Sequence, residues 1–391
     1  MELSKSRSKT AVQGKGQKGW LFSGWSFRGR NFSGRSFNFL SWRLMGLRSQ
    51  LKCWKQFGFI LLAFAAFSCS VAIAPGDSGD LTKLVIAEPL HGTGYLPLYV
   101  GIHQGFFEKE GLNVEVVTFQ GGGAHTNAVL AGDAWAFIGG PERNALAKIK
   151  GAELRAIAHV VDRGNVYLVA GNHLNFTPAE LQQNLAELLQ GKRIAVSHFG
   201  STPNSILRYV LSKKGLDPQK DAVLIEGEHT AALAAVKTKQ ADFAITTEPI
   251  LTQGIRQGIW GEPVYSIPEE LGSYAFSTIN VHKQTIDQEP ETVEHFTRAL
   301  YRSIRFVYDN PDKTFEIATK EFPMMPKDDL KAILDRAFAD QLWSPDGIVK
   351  PEAWKTGHAV VRKANILKED VSYDAVIDMR FMQAAISSSR L

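Results

Sequence analysis

Short apolar runs alternate with longer amphipathic segments between about residues 82 and 290. The short runs predict buried strands, and apolar positions spaced three and four apart predict helices between them. Such alternation builds mostly parallel sheets with helices on both faces. The predicted strands are residues 84–87, 113–119, 134–138, 154–161, 166–170, 193–197, 221–225, 241–245 and 263–266.

The strand and helix pattern occurs twice, over residues 84–138 and again over residues 193–245. After about residue 290 the pattern is helical, with one apolar face formed by Val293, Phe296, Leu300, Ile304 and Val307. We therefore predict an α/β fold of two lobes, each a mixed, mostly parallel sheet flanked by helices. Lobe I is expected to comprise residues 82–168 and 266–391, and lobe II residues 169–265. Ligands bind at the carboxyl ends of such strands, so the two lobes should share one crevice that closes by a hinge.

The first 68 residues differ in charge from the rest of the chain. They hold 12 of the 44 Lys and Arg residues and one of the 40 Asp and Glu residues, which leaves 32 basic and 39 acidic residues. The remainder therefore has a net charge of −7, although the whole chain is at +4. This sign gives no reason to expect nucleic acid as a partner.

The basic leader is typical of an export signal. Residues 1–44 repeat short Ser-Gly-Phe phrases, and we interpret them as disordered or as the product of a start codon assigned too early. Residues 45–68 read as a signal peptide, because the apolar core at 57–67 is too short to span a membrane. Small residues around Cys69 predict lipidation there, with ordinary signal cleavage as the alternative. We expect a protein in the periplasm or on the outer face of the membrane.

The sequence lacks the motifs of several common classes of enzyme and of nucleotide-binding protein. It contains no GxxxxGK[ST] phosphate loop, no HExxH, no CxxC pair and no GxSxG elbow. The ten histidines are scattered without metal-ligand spacing. Both cysteines, Cys53 and Cys69, precede the folded body, so it should contain no disulfide. We predict a binding protein without catalytic residues, metal or cofactor.

The loop after the first predicted strand carries Gly92-Thr93-Gly94-Tyr95. Pro97 stands where a dinucleotide fingerprint needs its third glycine, which argues against that kind of site. We interpret the loop as offering backbone N–H groups, Thr93 and the ring of Tyr95 to a small ligand. The alternative is a plain turn packed on Tyr95.

Two further loops in lobe I are candidates for contact with the ligand. Gly122 and Gly123 precede a helix whose first N–H groups they would expose to a ligand oxygen, although they could instead allow a tight connection. His125, in the first turn, is interpreted as a surface or capping histidine. Glu142 follows Pro141 at a helix start, where an acid favours the helix dipole. Its carboxylate could alternatively accept an amine or a ring N–H of the ligand.

Lobe II has two corresponding loops. Gly200, Ser201 and Thr202 combine a flexible backbone, two hydroxyls and a helix start, which suits an anionic or carbonyl oxygen. Simple helix capping explains the same residues. Glu248 follows the strand at 241–245 and is expected to face Glu142 across the crevice. A ligand with both an anionic and a positive or N–H-bearing end would match this set.

Several longer runs together resemble one family. GYLPLYVGIHQGFFEKEGL, LAGDAWAFIGGPE, GKRIAVSHFGS with KKGLDP, and KTKQADFAITTEP resemble bacterial ABC-importer binding proteins for aliphatic sulfonates, taurine, nitrate and thiamine-pyrimidine precursors. The resemblance covers roughly residues 82–280. It implies a two-lobed periplasmic binding protein fold of type II, a small-molecule ligand at the loops named above, and permease and ATPase subunits as partners. We expect a monomer that is tied to the membrane only through Cys69.

Two other functions stay open. A ligand sensor could use the same fold without feeding a transporter. Fungal synthases of the thiamine pyrimidine also share the fold, but they depend on a cysteine-rich motif, and this chain has no cysteine after position 69.

Overall fold

The computed structural model describes residues 81–119, 123–177, 179–180, 185–228 and 230–389. The predicted extension, signal peptide and lipidation site at Cys69 lie outside these ranges. In the part described, no helix combines the length and the apolar composition needed to cross a membrane.

Ten strands form two mixed sheets in the described residues. The first sheet has the order β2-β1-β3-β10-β4, and the second has the order β7-β6-β8-β5-β9. The strands are β1 (Thr82–Glu88), β2 (Leu112–Thr118), β3 (Ala136–Gly139), β4 (Leu154–Val161), β5 (Tyr167–Ala170), β6 (Arg193–Ser197), β7 (Val223–Gly227), β8 (Phe243–Thr246), β9 (Tyr265–Ser266) and β10 (Ser277–His282).

The helices cover both sheets, as the alternating pattern predicted. They are α1 (Leu96–His103), α2 (Ala124–Ala131), α3 (Glu142–Ile149), α4 (Leu185–Leu189), α5 (Thr202–Lys213), α6 (Ala231–Lys237), α7 (Ile250–Arg256), α8 (Ile267–Leu271), α9 (Lys283–Gln288), α10 (Pro290–Asp309), α11 (Pro311–Glu321), α12 (Lys327–Ala339), α13 (Pro351–Lys363) and α14 (Arg380–Ser388). The predicted apolar face of α10 is fully buried. The two-sheet α/β architecture of the sequence prediction is confirmed.

Parallel pairing occurs in the same place in each sheet. β1 pairs in parallel with β2 and β3, and β6 pairs in parallel with β7 and β8. In each sheet the following strands are therefore added first on one side and then on the other side of a central parallel strand, which is β1 in the first sheet and β6 in the second. Open α/β sheets bind ligands at the carboxyl ends of the strands at such a point.

All nine predicted strands overlap observed strands, but β10 was missed. It runs antiparallel to both of its neighbours, β3 and β4, in the middle of the first sheet. Its sequence, STINVH, has polar residues at Thr278 and Asn280, which break the apolar run that marks a buried strand. Both side chains are nevertheless fully buried.

Hydrogen bonds offset the cost of burying the side-chain amide of Asn280, and they also hold α3 on the sheet. Its side-chain nitrogen donates to the backbone oxygen of Gly139 at 3.0 Å, and its oxygen accepts from the side-chain nitrogen of Asn144 at 2.7 Å. Asn144 lies on α3, two residues beyond Glu142. The buried amide therefore fixes the end of β3 and the start of α3, which carry part of the candidate site.

We expect Asn280→Ala to lower the free energy of unfolding by about 1–3 kcal/mol, because it leaves buried donors and acceptors without partners. Asn113→Ala is the matched control, since Asn113 is exposed on β2 of the same sheet, and it should change stability by less than about 0.5 kcal/mol. Urea denaturation measures both. Equal effects of the two substitutions would contradict the structural role of Asn280.

Candidate functional site

Loops from both sheets line a partly open cavity of about 200 Å³. This exceeds several-fold the roughly 10–15 Å³ that one water molecule needs. The first sheet contributes loops after β1, β3 and β4, and the second contributes loops after β6 and β8. The lining residues are Pro89, Leu90, Gly92, Gly94, Tyr95, His125, Gly139, Gly140, Arg143, Val161, Asn165, Ser197, Ser201, Thr202, Pro203, Thr247, Glu248, Phe276 and Ser277.

The loop after β1 reaches the cavity with Tyr95 but not with Thr93. Tyr95 lines the wall and shares a side-chain hydrogen bond with Ser277 on β10. Thr93 is buried below the loop, outside the lining. Trp343 donates its indole N–H to the backbone oxygen of Gly94 at 3.0 Å, which anchors the loop from the C-terminal part of the chain.

The glycine loop before α2 is only partly described. Gly122 lies outside the described residues. Gly123 caps α2 with a left-handed backbone (φ 107°) that favours glycine, but it is not part of the cavity lining. Ligand contact by these two glycines stays a prediction.

Glu142 connects the two sheets through a direct hydrogen bond. It is buried at the start of α3, outside the cavity lining, and the hydroxyl of Thr202 on α5 donates to its carboxylate at 3.1 Å. Burial raises the pKa of Glu142, and this effect exceeds the opposing influence of the Arg143 charge. The first turns of two helices that follow strands of different sheets therefore meet at this contact.

The loop after β6 combines capping with exposure to the cavity. Ser201 caps α5 by accepting from the backbone N–H of Asn204 at 3.4 Å, and its hydroxyl lies 2.5 Å from that of Ser197. Ser201 and Thr202 both line the cavity, whereas Gly200 does not. The capping interpretation is thus satisfied by the same residues that face the cavity.

Glu248 lines the cavity but its carboxylate already has partners within the protein. It accepts hydrogen bonds from the backbone N–H of Thr252 at 3.1 Å and from the Thr252 hydroxyl at 3.0 Å. Arg336 on α12 completes a salt bridge with it. Burial raises the pKa of Glu248 in spite of that cation. The expected symmetry of two free carboxylates across the crevice is therefore not what the geometry shows.

The interpretation of His125 as a surface or capping residue was wrong. Only 2% of the residue is exposed, its ring lines the cavity, and it packs edge-on against Phe137 with 5.4 Å between ring centroids. Its Nδ1 is buried without a hydrogen-bond partner in the described structure. Sequence reasoning treated the histidine alone, whereas the fold brings it beside the end of β3.

Several other polar residues of the lining were not singled out from the sequence, among them Arg143 and Asn165, which have nitrogen-bearing side chains. Arg143 adjoins Glu142 in the first turn of α3, so its position in the chain was a usable signal. Asn165 lies in the loop between β4 and β5, where nothing in the local sequence marks it. Within the described ranges, no cluster of three His, Cys, Asp or Glu side chains could hold a metal ion.

A family comparison decides the assignment of this fold and cavity. The family described as NMT1/THI5 like matches residues 93–314, more than half of the chain. The chain belongs to the NMT1/THI5-like family. This confirms the resemblance found in the sequence, and the matched span contains the loops after β3, β6 and β8 together with Thr93, Gly94 and Tyr95 of the loop after β1.

One curated protein and several solved structures match most of this chain. The candidate binding protein YtlA of Bacillus subtilis (strain 168) is 26% identical over 343 residues, covering 85% of this chain and 98% of YtlA. Three solved structures show the same fold at lower identity. They are the alkanesulfonate-binding protein SsuA from Xanthomonas axonopodis pv. citri bound to MOPS (17% identity, TM-score 0.61, 76% of this chain and 98% of that chain), the periplasmic nitrate-binding protein NrtA from Synechocystis PCC 6803 (17%, 0.62, 79% and 89%) and the desulfurization enzyme DSZB (14%, 0.56, 79% and 100%).

We expect Glu142→Gln to stabilise the protein increasingly as the pH rises above about 4.5, the ordinary Glu value. Burial raises the pKa of Glu142 in the folded state, so the native protein holds a proton that the unfolded chain releases first. Stability therefore falls for the wild type as pH rises through this range, and it does not fall for the neutral amide.

Urea denaturation between pH 4.5 and pH 8 measures this difference. Glu115→Gln, at an exposed position of β2 where the carboxylate pairs with Lys83 on the surface, controls for the loss of one negative charge. If the difference in the free energy of unfolding between wild type and Glu142→Gln stays constant across this pH range, the pKa of Glu142 is not raised in the folded protein.

Proposed function

We propose that this protein is the extracytoplasmic solute-binding component of an ABC importer, which captures a small polar solute by closure of two lobes. The lobes are those expected from the sequence, residues 82–168 with 266–391 and residues 169–265, with each boundary shifted so that β5 and β9 belong wholly to the second lobe, because both strands lie in the second sheet. The observation that carries the proposal is the cavity lined by loops of both sheets, with Thr202 bonded to Glu142 beside it.

Further contacts across the same boundary support a closing motion. Helix α12 and the residue after it reach segments of the second sheet through three polar contacts. Arg336 pairs with Glu248, Arg256 pairs with Asp329 at 2.8 Å, and the hydroxyl of Tyr167 donates to Asp340 at 2.5 Å. A solute that contacts both sets of loops would favour this closed arrangement over an open one.

Two solved structures with this fold suggest the kind of solute and the transport role. SsuA and NrtA bind alkanesulfonate and nitrate respectively, and both have this fold. By analogy, the solute of this protein would be a sulfonate, taurine or a pyrimidine-like compound, delivered to permease and ATPase subunits. Export by the leader, lipidation at Cys69 and a monomeric state belong to the same proposal.

An enzyme is the second candidate, because DSZB carries out a reaction on this fold. Capture needs only a recessed site with polar contacts between the two lobes, and the cavity provides both. Catalysis would in addition need a reactive group placed at the substrate; the carboxylates of Glu142 and Glu248 are engaged with other residues, which leaves the ring of His125 as the candidate group in the lining. Mass spectrometry of a solute recovered after long incubation separates the two, since a binding protein returns it unchanged.

We expect at least one compound in a panel of sulfonates, taurine, nitrate, carboxylates, pyrimidines and amines to raise the melting temperature of the exported protein. A ligand at one hundred times its Kd stabilises the folded state by about 2.7 kcal/mol. Differential scanning fluorimetry measures the shift. If no member of so broad a panel shifts the melting temperature, the solute-binding proposal is lost.

We expect Thr202→Val to weaken binding of any such solute about tenfold, because valine keeps the shape but cannot donate to Glu142. Calorimetry measures the affinity, and small-angle scattering with ligand measures the closure. Thr319→Val is the matched control, since that hydroxyl bonds only within α11. Equal affinities for both variants would show that this contact does not contribute to closure.

A further inference from the structure

The acceptor groups around the cavity are largely used inside the protein. The carboxylate of Glu248 is held by Thr252 and Arg336, and that of Glu142 accepts from Thr202. Ser201 shares its hydroxyl with Ser197. A positively charged group entering the cavity would therefore have to displace an existing partner before it could bind a carboxylate.

Three nitrogen-bearing side chains of the lining remain available. Arg143, a half-buried residue, makes no hydrogen bond or ion pair with any residue of the described ranges. The same holds for the side-chain amide of Asn165, a residue that is 9% exposed. Neither ring nitrogen of His125 has a partner in the described chain, and Nδ1 is completely buried.

His125 is available to a ligand as a neutral imidazole ring. Burial, assisted by the nearby charge of Arg143, lowers the pKa of His125 to about 3. A neutral imidazole carries one N–H donor, whichever nitrogen holds it. It can therefore donate a hydrogen bond to a ligand oxygen without adding a second positive charge beside Arg143.

Glycine backbone leaves space around these nitrogens. A Cβ at Gly139 would lie 3.1 Å from Nε2 of His125, and one at Gly123 would lie 3.3 Å from a terminal nitrogen of Arg143. Both distances are tighter than an ordinary contact, so side chains at these positions would crowd the groups. The other walls of the cavity include the apolar residues Leu90, Val161 and Phe276.

We propose that the solute is an acid with an apolar body, and that Arg143, His125 and Asn165 bind its acidic group. The inference rests on the proposed solute-binding function and narrows its ligand class. An unpaired, half-buried cation is stabilised by an anion, and charge-assisted hydrogen bonds are the strong ones. Amines and zwitterions such as taurine are disfavoured, because their ammonium group finds no free carboxylate.

A matched ligand series tests the charge requirement. Pentanoate, pentanamide and pentylamine share an unbranched five-carbon chain, while butane-1-sulfonate and taurine test a sulfonate without and with an ammonium group. We expect pentanoate or butane-1-sulfonate to bind at least about tenfold more tightly than the amide, the amine and taurine. Calorimetry on the exported protein gives the affinities, and whichever acid binds more tightly distinguishes carboxylate from sulfonate.

Variants of the three residues test the assignment. Arg143→Gln, His125→Phe and Asn165→Ala should each weaken binding of the acid about 10- to 100-fold while leaving binding of pentanamide within about threefold. His125→Gln, which restores a side-chain donor, should recover part of the loss. Arg305→Gln and Asn113→Ala are the matched controls, because Arg305 pairs with Asp309 on α10 and Asn113 is exposed on β2.

The outcomes distinguish a failure of the acid inference from a failure of the proposed solute-binding function on which it rests. Tight binding of pentylamine or a pyrimidine, with no binding of either acid, would overturn the acid inference and leave solute binding intact. Unchanged affinity for the acid in all three variants would overturn the residue assignment. If neither this series nor the wider panel binds, both the inference and the proposed function fall together.

Discussion

The hydrogen bond from Thr202 to the buried carboxylate of Glu142 joins the first turns of two helices that follow strands of different sheets. Burying a carboxylate is costly unless it has partners, and the raised pKa of Glu142 reflects that cost. The contact can form only when the loops of the two sheets meet. The cavity between the two sheets, and therefore the capture mechanism we propose, depends on the same approach of the two loops.

A second set of contacts supports that approach from the C-terminal part of the chain. Helix α12 packs with Leu330 and Leu334 in the core of the first sheet and sends Arg336 to Glu248 beside the second. The salt bridge is partly shielded from solvent, so it should be less sensitive to salt than an exposed pair. The same contact removes Glu248 from the groups available to a ligand. One residue pair thus contributes to closure and to the selectivity of the cavity.

The distribution of partners inside the cavity gives it a chemical preference. Carboxylates and hydroxyls are bonded within the protein, while the nitrogens of Arg143, His125 and Asn165 are left without protein partners in the described ranges. An anion supplies what these groups lack, and an apolar body suits Leu90, Val161 and Phe276. The sequence analysis expected a ligand with both an anionic and a positive end, because it counted Glu142 and Glu248 as free.

The local pattern of the chain was sufficient to predict the two α/β units, nine strand positions, the helical C-terminal part and the loops that reach the cavity. Those features depend on residues close together in sequence, through side-chain period, glycine turns and helix starts. β10 escaped because buried Asn280 finds its partners on β3 and α3, more than 130 residues away. Only the tertiary structure decided that His125 is buried in the cavity, that Arg336 occupies Glu248, and that Thr202 meets Glu142. Each of these depends on which distant residue comes within hydrogen-bonding distance, and the folded chain alone sets that.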